Sequence, residues 1–319
     1  MRLRETMARA MLVLIPVLAT SGAPLAAQEH QRHDPATGVA DTQLSAELEA
    51  VRAATERYRD HANAVADGYV LFGQEGPLMG EHWLRRDLVR EPLDLNRPST
   101  LQYAWVDGRR ELVGVAYTTY RRPGDPMPEG FSGDDDAWHV HDIERIGKAV
   151  AEGRPLMRRL AERWRRETPA ADGRSELTML HAWIWQDNPD GVFALENRAL
   201  PYLRVGLPAA WSASGDLAAA RGTSLLAEGS CKREMRRMNF LARLSKEQRA
   251  TLEAGCTSAA ARVADARTAA DEAEMFNREA AAAWSIYAAS LARTLTPEQI
   301  ERLGSVTEQA GPAHGRHGH

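Results

Sequence analysis

The chain has 319 residues, of which 44% are hydrophobic and 26% charged, and its formal net charge is −4. This is an ordinary globular composition with length for one or two hydrophobic cores. It lacks the basic excess expected of a nucleic-acid binder.

Residues 1–27 read as a cleavable export signal. Arg2, Arg4 and Arg9 form a positive start, Met11 to Ala19 a short apolar run, and Pro24-Leu25-Ala26-Ala27 a cleavage region of small residues. The apolar run is shorter than the roughly 20 residues that span a bilayer. An uncleaved anchor is therefore the weaker alternative, and the expected location is periplasmic or secreted. No later segment qualifies as a transmembrane anchor. Residues 28–42 are polar, contain Pro35 and Gly38, and read as a flexible leader.

The expected fold class is α+β: a long N-terminal helix with a small antiparallel sheet, followed by an α-helical hairpin region. The first unit spans 43–210. Leu44, Leu48, Val51, Tyr58, Ala62 and Val65 recur at helical spacing, so one helix is expected from Gln43 to Ala66, ended by Gly68. Leu101 to Val106 and Glu111 to Tyr120 flank Asp107-Gly108, a hairpin signal. Trp138 to His141 and Leu177 to Trp185 are further strand candidates. Between them, Ile143 to Glu167 reads as a charged amphipathic helix kinked at Pro155.

From Leu217 the composition turns to Ala, Arg and Glu, and 217–309 is expected to be helical. One helix ends near Leu244. Ser245-Lys246-Glu247-Gln248 then opens a second, expected to run to Arg293, and Thr296-Pro297-Glu298-Gln299 opens a third. Residues 310–319 form a His-rich tail expected to be disordered. The two cysteines, Cys231 and Cys256, lie at similar distances from a bend at Ser245. Antiparallel helices would leave them offset by about 5 Å along the axis. In an oxidising compartment this pattern predicts a disulfide, with two buried free thiols as the duller alternative.

The histidines carry the functional signal. His82, His139, His141 and His181 all fall in the α+β unit. On a strand, His139 and His141 point to one face. His181 shares a face with Met179, Trp183 and Trp185. Glu81, Asp142 and Glu144 are carboxylate candidates nearby. Three or four such donors would make a site for a divalent transition metal, Cu, Zn or Ni. The competing reading is a set of independent, hydrogen-bonded core histidines. Cleavage after Ala27 would also leave Gln28-Glu29-His30 at the N-terminus. An α-amine, two amides and the His30 imidazole suit Cu(II) or Ni(II). His314, His317 and His319 add a loose polar tail. There is no HExxH, GxSxG, phosphate-loop or dinucleotide motif, so no catalytic residue is assigned.

Two resemblances follow from quoted motifs. Residues 44–200 resemble a family of exported bacterial proteins of uncharacterised function. The matching blocks are Tyr58-Arg59-Asp60, Met79-Gly80-Glu81-His82-Trp83, Leu101-Gln102-Tyr103 and Leu180-His181-Ala182-Trp183-Ile184-Trp185, then Asn188-Pro189-Asp190-Gly191. This resemblance implies no activity. Residues 226–309, with Leu244-Ser245 … Gln248 and Leu295-Thr296 … Gln299, loosely resemble Spy/CpxP-like periplasmic proteins with paired LTxxQ motifs. That resemblance implies an all-helical segment with a chaperone or metal-stress role.

The leading expectation is a periplasmic metal-binding or metal-stress protein whose partner is a metal ion bound by the histidine cluster. The alternatives are a chaperone-like module that binds another periplasmic protein through the C-terminal helices, and a metal-dependent enzyme of unknown reaction.

Overall fold

A computed structural model describes residues 35–133, 135–142 and 176–307, with positions 151, 158, 159 and 162 between them. The export signal, His30, most of the charged segment 143–167 and the His-rich tail lie outside the described residues.

The long helix expected over 43–66 is not formed. Helix α1 (Pro35–Thr55) stops at Thr55, and a 3-10 turn follows over Glu56–Arg59. Helix α2 (His61–Ala66) then starts afresh, with the Asp60 carboxylate accepting from the Ala62 amide at 3.0 Å. Asp60 was the missed signal, since a short carboxylate in extended backbone competes with helix continuation. The helical spacing misled because both pieces bury residues against the same sheet: Val51 and Tyr58 join one core. The Tyr58 carbonyl accepts from the Tyr103 hydroxyl at 2.6 Å, which pins the break to the sheet.

The sheet has six antiparallel strands: β1 (Val70–Gly76), β2 (Gly80–Leu84), β3 (Thr100–Val106), β4 (Arg109–Arg121), β5 (His139–Asp142) and β6 (Glu176–Ala182). Their spatial order is β1-β2-β3-β4-β6-β5. The β3–β4 hairpin forms around Asp107-Gly108, both with positive φ (46° and 75°), as a tight two-residue turn requires. Strands β1 and β2 have no counterpart in the sequence reading. Strand β6 ends at Ala182, short of the expected Trp185.

The two faces of the sheet differ in kind. One carries Leu101, Tyr103, Val115, Tyr117, Leu180 and Ala182, packed against Val51, Tyr58, Phe131, Trp138 and Phe193. This is the apolar core of the α+β unit. The period of two puts Thr100, Gln102, Thr118 and His181 on the other face, and each is at most 3% exposed. Leu84, Leu177 and Met179 share this face, and the polar groups buried among them cost stability unless they are satisfied. Thr100 and Thr118 satisfy each other, hydroxyl to hydroxyl, at 3.0 Å.

After a short helix α3 (Leu200–Arg204), the C-terminal helices are α4 (Leu217–Ser224), α5 (Ser230–Ala242), α6 (Lys246–Ala269), α7 (Ala273–Thr294) and α8 (Pro297–Thr307). The single helix expected from Ser245 to Arg293 is instead two, α6 and α7, which fold back on each other at Ala270–Glu272. No Gly or Pro marks that turn, so composition did not reveal it. Cys231 on α5 and Cys256 on α6 form a disulfide with Cα atoms 5.7 Å apart. Their shared core includes Met238, Leu252, Val263, Phe276 and Tyr287. Leu78 and Tyr202 belong to the same cluster and join it to the sheet region.

Ser245 and Thr296 both open helices through capping boxes with Gln248 and Gln299. The two glutamines also reach each other. Gln248 Nε2 donates to Gln299 Oε1 at 2.8 Å, and Gln299 Nε2 returns a bond to Gln248 Oε1 at 3.1 Å. Gln248 further donates to the Thr294 carbonyl, and Gln299 to that of Ala242. Each repeated motif thus starts one helix and caps the C-terminus of another.

Candidate metal centre

Three strands deliver the histidines. Strand β2 carries His82, β5 carries His139 and His141, and β6 carries His181 with Met179. In register, His139 faces Met179 across β5–β6, while His181 faces Ala116 on β4 and His82 faces Gln102 on β3. Alternation puts all of these on the polar face.

In a flat sheet β2 and β6 would stand three strand spacings apart, about 14 Å. The imidazoles nonetheless meet: His82 Nε2 is 3.4 Å from His181 Nε2. Small residues between them, Gly114 and Ala116, leave room for the rings. A Cβ at Gly114 would come within 3.1 Å of Gln102 Oε1 and 2.9 Å of the Ala182 carbonyl. Opposite Gln102 and Tyr103 the register shifts by one residue, Val113 being the extra residue on β4 between Leu112 and Gly114, a bulge that marks the local bend.

Around this contact the cluster closes. Ring centroids are 5.3 Å apart for His82–His181, 5.0 Å for His139–His181 and 4.9 Å for His139–His141. His181 Nε2 also lies 3.1 Å from Met179 Sδ. The buried members are His139 (5% exposed) and His181 (1%). His82 and His141 are partly exposed.

The protonation chemistry favours ligands. Burial first, and then neighbouring imidazoles, push His82 down to about 4 and His139 down to about 3. The same causes hold His181 well below the usual histidine range, and burial lowers His141. All are therefore neutral near pH 7, each with a nitrogen lone pair. His181 Nδ1 lies 2.8 Å from the Leu195 carbonyl. A carbonyl only accepts, so Nδ1 carries the proton and the Nε2 lone pair faces His82 and Met179. Metal-binding histidines are oriented in this way.

Two buried polar atoms on this face lack a hydrogen bond of good geometry: His139 Nδ1 and Gln102 Oε1. Gln102 is fully buried. Among the described residues, no group of three or more His, Cys, Asp or Glu side chains is placed so that it could hold one metal ion. The imidazoles instead contact one another pairwise.

Glu81, expected beside the histidines, is not among them. It is adjacent to His82 on β2 and so points to the opposite face. There its carboxylate pairs with Arg110 at 2.8 Å and accepts from Trp83 Nε1 at 3.0 Å. Arg110 in turn lies over the rings of Trp83 and Trp105. That is a self-contained structural ion pair. Of Trp183 and Trp185, both expected to share the His181 face, Trp183 does so, its ring centroid 5.8 Å from that of His181 and its other neighbours Ala104, Val113 and Leu200, whereas Trp185 leaves it and donates to Thr55 Oγ1. His30 is outside the described residues, as are the Asp142 side chain and Glu144.

Comparisons with protein-family models, curated proteins and solved structures return no match to this chain.

Proposed function

We propose that this chain is an exported metal-binding protein that holds a transition-metal ion on the histidine face of its sheet. The observation that carries this reading is the convergence of His82, His139, His141 and His181 from three separate strands onto one buried patch. Four neutral imidazoles packed together have no apolar logic. Each neutral imidazole keeps one nitrogen lone pair, and a metal ion would give these a common partner; His139 Nδ1 has no hydrogen-bond partner of its own, while His82 Nε2 and His181 Nε2 contact each other. The Leu195 carbonyl on His181 Nδ1 supports the same reading. The formed disulfide supports an oxidising compartment such as the periplasm. Among the described residues, no helix is long and apolar enough to cross a membrane.

The test is metal titration of the full mature chain beside the His139→Ala/His141→Ala variant. The reading expects the wild type to bind a single equivalent and the variant to lose it. Unchanged stoichiometry and affinity would overturn the site.

A second reading, partner binding through the C-terminal helices, rests on Phe240, Met275, Ile286 and Ile300, which are 39% to 53% exposed there. It expects suppression of client aggregation without metal, lost when those residues are made polar.

A further inference from the structure

We propose that Met179 is itself a ligand of this site, and that it makes the site a copper centre selective for Cu(I) over Zn(II). The proposal rests on the reading that the histidine face holds a metal.

Position is the first argument. Met179 lies two residues before His181 on β6 and directly opposite His139 on β5. Its Sδ is 3.1 Å from His181 Nε2, and the residue is 5% exposed. A buried methionine normally fills a gap between apolar side chains. Met179 belongs to none of the apolar clusters of the described residues. Its thioether is placed among imidazoles.

Donor softness is the second argument. Zinc sites draw on imidazole, thiolate and carboxylate, whereas a neutral thioether is a soft donor that suits Cu(I).

Charge is the third. The donors brought together here, imidazoles and a thioether, are all neutral, and Glu81 is turned to the other face against Arg110. The cost of burying an ion without counter-charge rises with the square of its charge, so this patch disfavours a dication relative to a monocation. Gln102 adds a fourth point. Its buried, unpaired Oε1 sits on the strand position next to His82. A neutral amide oxygen there can accept an imidazole N–H and orient that ring without adding charge.

The experiment uses the full mature chain, wild type and Met179→Leu, a substitution of similar volume. Cu(I) affinity is read anaerobically by competition with a chromophoric Cu(I) chelator, and Zn(II) affinity by competition with a zinc indicator. The expected result is tighter Cu(I) than Zn(II) binding by the wild type. Met179→Leu should weaken Cu(I) by about tenfold or more while leaving Zn(II) within about twofold. The copper K-edge spectrum of the wild type should show a sulfur scatterer, absent from the variant. Equal Cu(I) affinity in the two proteins, or no sulfur on copper in the wild type, overturns the proposal while leaving the histidine site standing. Failure of the wild type to bind either ion overturns both. The wild-type spectrum decides the matter even if the variant does not fold.

Discussion

His82 Nε2 and His181 Nε2 approach to 3.4 Å although two strands, β3 and β4, lie between the strands that carry them. The contact depends on the small residues beneath it and on the bulge at Val113 in β4. It turns four histidines scattered over a hundred residues of sequence into one patch. Its consequences can be measured.

Gly114 is the first place to look. Any side chain there meets Gln102 Oε1 and the Ala182 carbonyl at 3.1 Å or less. Gly114→Ala should therefore destabilise the protein by about 1–3 kcal/mol through overpacking, and Gly114→Val by more. Urea unfolding gives the value. An unchanged midpoint for the valine variant would mean that the floor of the patch is not tight.

Acid should weaken the metal-free protein. The folded-state values of His82 and His139, about 4 and about 3, lie below the roughly 6.5 of an unfolded histidine. The unfolded chain thus binds more protons, and the stability these residues contribute is present above pH 6.5 and lost as pH falls toward 4. Asp136, pushed up to about 6 mainly by burial, acts in the opposite direction. Comparing wild type with His139→Gln cancels that share. Between pH 6.5 and 5, the melting temperature of the wild type should fall more steeply than that of the variant. Parallel curves would contradict the assigned protonation states.

The disulfide should matter to the helical region. Cys231 and Cys256 are 25 residues apart in sequence and tie α5 to α6. Closing a loop of that size removes unfolded-chain entropy worth about 3 kcal/mol. Replacing both by Ser, or adding reductant, should lower the unfolding free energy by about that amount. A loss well under 1 kcal/mol would mean that packing alone holds the two helices together.

Gln248 and Gln299 make a coupled pair. Removing either leaves the other with a lost partner and uncaps a helix end. Gln299→Ala should cost about 1–3 kcal/mol, since Gln299 is largely buried. The double variant should cost less than the sum of the single ones. Strict additivity in a double-mutant cycle would deny the coupling.

Much of this was legible in sequence where the signal is local. Asp107-Gly108 marked the β3–β4 turn because only left-handed-tolerant residues fit it. Ser245 and Thr296 marked helix starts because their caps lie within four residues. The cysteine pair was legible from its symmetry about the bend at Ser245. The helices and the sheet fit the α+β class, but the long first helix is not formed, because Asp60 restarts the chain while burial on the shared sheet keeps the helical period running. Strands β1 and β2 escaped notice for a related reason. Leu71 and Phe72 are both exposed on an edge strand, so no alternation appears there.

The histidines were legible as candidates, and β-alternation correctly paired His139 with His141. The same alternation, applied to β2, separates Glu81 from His82. Treating sequence neighbours as spatial neighbours included Glu81 in error. Met179 was visible on the His181 face. Its place opposite His139 depends on the β5–β6 register, which connects positions some forty residues apart and has no local signature.

The central claim is that one ion engages the histidine patch as a unit. Imidazole nitrogen NMR of the full mature chain, titrated anaerobically with Cu(I), tests it most directly. The account predicts that a single equivalent shifts the nitrogen resonances of His82, His139, His141 and His181 together, with saturation at that point. Shifts confined to histidines outside the patch, or none at all, would contradict it.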